Sequence, residues 1–152
     1  FPAFDESVYN KDKAKRDAAF KQQQEDARIL RLYSSAHDAE LARNRLFDTL
    51  ETSIGYNSLQ LQRIKRLRAN FVGDAALAER KSQTPTAKLK DQIAAYDKQI
   101  NDLQALIDYQ RTEQTKVKND FVPIIKRLTE LEKTPTATAT ATQKSAFDVS
   151  PP

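Results

Sequence analysis

The chain has 152 residues, 25 of them basic and 21 acidic, and a formal net charge of +4. It has no Cys, Met or Trp, two Gly and one His, which excludes a disulfide framework, a thiol nucleophile, a Cys- or His-rich metal site and a glycine-rich phosphate loop. A mean hydropathy of −0.72 and 30% charged residues leave no run near the ~20 apolar residues of a membrane span.

Removal of an initiator Met normally leaves a small residue, so Phe1 implies another cut or a trimmed chain. A cut signal peptide would place the mature protein in an exported compartment. Residues 1–10 are rich in aromatics and are expected to be extended, with Phe1, Phe4 and Tyr9 as candidate anchors for a partner.

The helical domain is expected over 11–133, with helices at about 11–33, 36–81 and 86–132. Ala, Gln, Lys, Arg, Glu and Leu dominate it, and all are good helix formers. The first helix has a thin apolar face of Phe20, Ala27 and Leu30, with Ile29, Leu32 and Tyr33 at its end. Its first half is too polar to be stable alone. Ser34 and Ser35 interrupt it, and the run from Ser35 to Asp38 reads as the N-cap of the second helix.

Two apolar seams follow, each stepping alternately by three and four. One holds Phe47, Leu50, Ile54, Asn57, Leu61, Ile64, Arg68, Phe71, Ala75 and Ala78, flanked by Leu46 and Leu67. The other runs Leu89, Ile93, Tyr96, Ile100, Leu103, Ile107, Gln110, Gln114, Val117, Phe121, Ile124, Leu128 and Leu131. Seams this long specify a coiled coil. Between them, Thr84 reads as an N-cap and Pro85 as the first helical residue. So short a connection makes the two helices antiparallel neighbours. The expected fold is all-α: an N-terminal helix, then a long antiparallel coiled-coil hairpin, with extended N- and C-terminal segments. At ~1.5 Å per residue the hairpin reaches roughly 70 Å.

Positions equidistant from the turn should face each other. Phe71 then meets Tyr96, Asn57 meets Gln110, and Ile54 meets Gln114. The amides either fix the register as a buried layer or point to solvent in a loose middle. Gly55 lies beside them and weakens its helix by ~1 kcal/mol relative to Ala. Gly55, Asn57, Gln110 and Gln114 thus mark a register point and a soft point. Pro123 removes the helical bond to Asn119 and is expected to kink the last helix. Residues 134–152 form a low-complexity tail of Thr, Ala and Pro, with Phe147 and Val149 as further candidate anchors.

The positive excess sits in residues 58–81, around Arg63, Lys65, Arg66, Arg68, Arg80 and Lys81. Arg63, Lys65 and Arg66 are candidates for an acidic partner or an anionic envelope surface, against the simpler reading of a solvated face. Nucleic acid is disfavoured, because the basic footprint is small and no reader motif appears. His37 reads as an exposed helix residue rather than a pH-sensitive contact. Asp91, Asp97, Asp102 and Asp108 read as solvated, since two helices enclose no cleft for acid–base work. Tyr109 lies off the seam and is free to meet a third helix or a partner. No residue is assigned to catalysis, a cofactor or a metal.

Leu32-Tyr33-Ser34, the Ser35 helix start, Arg43-Asn44-Arg45 and Thr84-Pro85-Thr86-Ala87-Lys88-Leu89 resemble the helical hairpin of uncharacterised proteobacterial envelope proteins. The resemblance covers roughly residues 25–131. The small aromatic-rich domain that often precedes the hairpin in that family does not occur among these residues. The resemblance implies a periplasmic location and supplies no catalytic residues. The resulting expectation is a non-enzymatic scaffold subunit of an envelope assembly such as a motor, pilus or secretion machine. It would bind other envelope proteins or copies of itself. The alternatives are a periplasmic hairpin chaperone or adaptor, disfavoured by the polar tip at Lys81-Ser82-Gln83-Thr84, and a nucleic-acid-associated coiled coil.

Overall fold

The computed structural model describes residues 3–84 and 86–134. It is all-helical there, with α1 over Glu6–Leu32, α2 over Ala36–Arg80 and α3 over Ala87–Lys133. No strand occurs among the described residues. The chain divides into two compact units. One spans Arg43–Asn119; the other joins the residues through Ala42 to those from Asp120 onward.

In the first unit α2 pairs with α3 as an antiparallel coiled coil. Every seam position from Phe47 to Ala78 and from Leu89 to Val117 is buried or half-buried. Ile54, Leu61 and Ile107 form the core, with Ile100 and Leu103 packed against them. Each such side chain contributes about 1.5–3 kcal/mol on burial. Phe71 meets Tyr96 with ring centroids 5.5 Å apart. Arg68 uses its seam position to bury its stem while its head ion-pairs with Asp97. Leu67 is half-buried, but Leu46 is 50% exposed and does not widen the seam. Two helices cover only a narrow stripe, and a flanking position needs a third helix to bury it.

The turn is built by backbone geometry. Ser82 adopts φ 59°, while Gln83 N–H bonds to Ala78 O (2.8 Å) and Ser82 N–H to Glu79 O (2.9 Å). This is a Schellman ending to α2, with Ser at the position usually given to Gly. The cap of α3 is Thr86, not Thr84: its hydroxyl accepts the Leu89 N–H at 3.2 Å, and Ala87 begins the helix. Pro85 itself lies outside the described residues.

The second unit joins the end of α1, the start of α2 and the end of α3. Ile29, Ala36, Ala39, Phe121 and Leu128 are its buried residues, with Ala39 fully enclosed and Leu128 1% exposed. Tyr33 stacks on Phe121 at 5.5 Å. Ser35 caps α2 as expected, accepting the Asp38 N–H at 3.1 Å. Glu132 of α3 accepts the Ala36 N–H at 2.8 Å. Two of the donors orphaned at this helix start are thus satisfied, one by a carboxylate suited to the dipole. Arg127 grips Asp26 of α1 with two bonds of 2.8 Å.

One boundary differs from expectation. Residues 6–10 are helical rather than extended, because Asp5 caps α1 by accepting the N–H groups of Ser7 (3.0 Å) and Val8 (3.4 Å). An Asp followed by Glu6 in the first turn is a strong helix start. Pro123 lies inside α3 and leaves the Asn119 carbonyl without its helical donor. The division between the two units falls beside that carbonyl.

Candidate functional site

The named partner-binding residues scatter over the structure. Phe4 and Tyr9 meet at the start of α1, ring centroids 5.6 Å apart and 75% and 47% exposed. Phe1, Phe147 and Val149 lie outside the described residues. Every residue from Glu6 to Glu25 of α1 is exposed. Its mixed polar sequence buries no face until Asp26 and Ile29, at its C-terminal end.

Arg63, Lys65 and Arg66 are all exposed. Arg63 and Arg66, three apart, are neighbours on one side of α2, and Lys65 is turned about 100° from Arg66. Arg68 is drawn to the seam by Asp97. His37 is exposed. Among the described residues, no group of His, Asp and Glu is arranged to hold a metal ion, and no helix is long and apolar enough to cross a membrane.

The amides are brought together. Asn57, 8% exposed, donates from Nδ2 to Gln110 Oε1 at 3.0 Å, and Gln110 Nε2 donates to Ser53 Oγ at 2.7 Å. Gln114, also 8% exposed, donates to Glu51 Oε2 at 2.7 Å and Phe47 O at 3.3 Å. Lys118 Nζ sits over the Phe47 ring at 4.5 Å. No buried side-chain N or O among the described residues lacks a partner. Gly55 lies on the outer side of α2, where an added Cβ would meet nothing within 4 Å.

Two features go beyond the sites read from the sequence, in which Tyr109 alone of their residues stood out. The first is the Asp26–Arg127 clasp, between residues about a hundred positions apart. Asp26 has a side chain only 15% exposed, and its hydrogen bonds from Arg127 hold its carboxyl below the usual range, against the opposing effect of burial. Glu25 is lowered in the same way by Arg28, and Arg127 is raised by Asp26 and Glu130. The second is a group of exposed apolar residues on the coiled coil: Tyr56 (64%), Leu59 (67%), Leu106 (42%) and Tyr109 (62%). Heptad spacing signalled the buried seam and set Tyr109 off it, but masked Tyr56, Leu59 and Leu106.

No family model, curated protein or solved structure matches the chain.

Proposed function

We propose that the protein is a non-enzymatic structural subunit of a bacterial cell-envelope assembly, working in the periplasm and holding other proteins through its first helix. The observation that carries this reading is the exposed stretch of α1. Twenty residues, Glu6 to Glu25, are helical with every side chain open to water. An isolated helix of that polarity is marginal in water, so a partner laid along it would stabilise it. The paired rings of Phe4 and Tyr9 give such a partner an apolar anchor. The resemblance to envelope hairpins supports the compartment.

The test is crosslinking with mass spectrometry on intact envelope fractions. The expected result is a complex of fixed stoichiometry, with crosslinks from Lys11, Lys13, Lys15 and Lys21 to another protein. Recovery of the chain in the osmotic-shock fluid supports the location. A chain that stays uncrosslinked in every fraction, with α1 open to protease, overturns the proposal.

A further inference from the structure

The two edges of the α2–α3 pair differ in chemistry. One edge carries Glu51, Arg68, Asp97 and Lys118, joined by the Gln114–Glu51, Arg68–Asp97 and Lys118–Phe47 contacts. The other carries Ser53, bonded to Gln110 beside Asn57. In an antiparallel pair, residues one step outside the seam on the same edge come from both helices. The seam spacing puts Tyr56 and Leu77 of α2, and Leu106 and Tyr109 of α3, on the Ser53 edge. They are 64%, 49%, 42% and 62% exposed. With Leu46, five of the seven exposed large hydrophobics of this unit lie on this face; Leu59 is on the outer side of α2, and Val72 is the one on the Glu51 edge, which is otherwise mostly polar.

We infer that this face is the contact surface for a second copy of the chain, giving a four-helix arrangement in which α2 of one copy lies over α3 of the other and both turns point the same way. Two observations select this occupant. The first is charge. Arg63 stands one heptad after Tyr56 on the same stripe of α2, and Asp102 stands one heptad before Tyr109 on the same stripe of α3. Both are exposed, and neither is in an ion pair among the described residues. When α2 lies over the other copy's α3, the two-fold axis runs along the rod and keeps the hairpin's own register, which brings Tyr56 and Tyr109, and likewise Arg63 and Asp102, to within about 4 Å of level. Two-fold symmetry repeats each pair. With the turns opposed instead, α2 lies over α2 and α3 over α3: Arg63 meets Thr49 while Asp102 meets Lys116, so only the turns-together arrangement makes the dimer depend on Arg63.

The second observation is area. The face runs from Thr49 to Leu77 and is two helices wide, on the order of 40 Å by 20 Å. That supplies roughly 800 Å² per copy, the size of a standard stable interface. The two tyrosines on it are the residue type that anchors such interfaces. A third and fourth helix would also cover the seam's flanks, which two helices leave open.

The test uses the full chain in analytical ultracentrifugation. A monomer–dimer equilibrium is expected between about 1 and 200 μM, with strength set by the tyrosines. The double variant Y56E/Y109E should weaken it at least about 100-fold with an unchanged helical circular dichroism spectrum. R63D and D102R should each weaken it about 10-fold, and R63D/D102R should recover most of the loss. A chain monomeric across the whole range overturns the inference, as does a dimer indifferent to Y56E/Y109E. A dimer weakened by D102R but not by R63D, or a double no tighter than the singles, overturns the pairing with turns together. No residue of α1 takes part, so this inference and the proposed function fail separately.

Discussion

The paired amides inside the coiled coil give the sharpest test of how its register is held. Replacing Asn57 and Gln110 together with Leu removes two hydrogen bonds, Asn57–Gln110 at 3.0 Å and Gln110–Ser53 at 2.7 Å. Each is worth about 1 kcal/mol net. The two leucines would extend the Ile54–Leu61–Ile107 cluster, at about 2 kcal/mol of burial each. The double variant should therefore be more stable by about 2 kcal/mol. The single change Asn57→Leu is different. It leaves Gln110 Oε1 without its donor in a half-buried layer, and that loss offsets the gain of one Leu. The single should be close to neutral, so the two changes couple by about 1 kcal/mol or more. Urea unfolding followed at 222 nm measures this. With a slope near 2 kcal/mol/M, the double shifts the midpoint up by about 1 M. If Asn57→Leu alone raised the midpoint as far as the double does, the amides would not be acting as a pair.

Four further outcomes follow from particular contacts. Gly55→Ala and Gly73→Ala should each stabilise by about 1 kcal/mol and add, since both glycines are mid-helix with open space around the new Cβ; a loss at Gly55 would show that its freedom matters to the amide layer. Ser82→Gly should raise the thermal midpoint by relieving a left-handed serine worth about 1 kcal/mol, and an unchanged midpoint would count against the Schellman ending. Leu128→Ala and Ile107→Ala, at 1% and 2% exposure, should each cost about 3 kcal/mol, whereas Leu59→Ala at 67% exposure should stay within about 0.5. The Asp26 carboxyl is held below its ordinary range by Arg127, so its contribution is complete above the unfolded value near 4 and is lost as pH falls through the lower folded value. Asp26→Asn should therefore be less stable than the parent at pH 7, with the gap closing below about pH 4. A gap independent of pH would assign the effect to packing.

The seams were legible because spacing alone decides which residues a long helix buries. All the named seam positions, from Phe47 to Ala78 and from Leu89 to Leu131, are buried or half-buried. The facing of Phe71 with Tyr96 and of Asn57 with Gln110 followed from distance to the turn. The helix starts were less legible. Thr84 and Thr86 offer the same hydroxyl two residues apart, and no local pattern says which of them takes the first free N–H of α3; the bond from Leu89 N–H assigns it to Thr86. Asp5 was hidden by the aromatic character of residues 1–9, which drew attention from a short polar cap. The Asp26–Arg127 clasp depends on where α1 ends against α3, and no local pattern carries that. The apolar edge was half visible. Tyr109 stood off the seam, but Tyr56 and Leu106 join it only once both helices share one frame.

The strict step of three and four also constrains how this coiled coil changes length over evolution. One inserted residue in either arm would turn every later side chain by about 100° and carry Ile107 or Leu61 out of the core. Seven residues added to α2 alone would preserve the stripe but leave Asn57 opposite the wrong layer. Only matched additions, a heptad in each arm between the amide layer and the turn, keep both the stripe and the pairing. Each such step moves the turn outward by about 10 Å. Relatives of this chain should therefore differ in this region by multiples of fourteen residues, a ruler graduated in whole heptads.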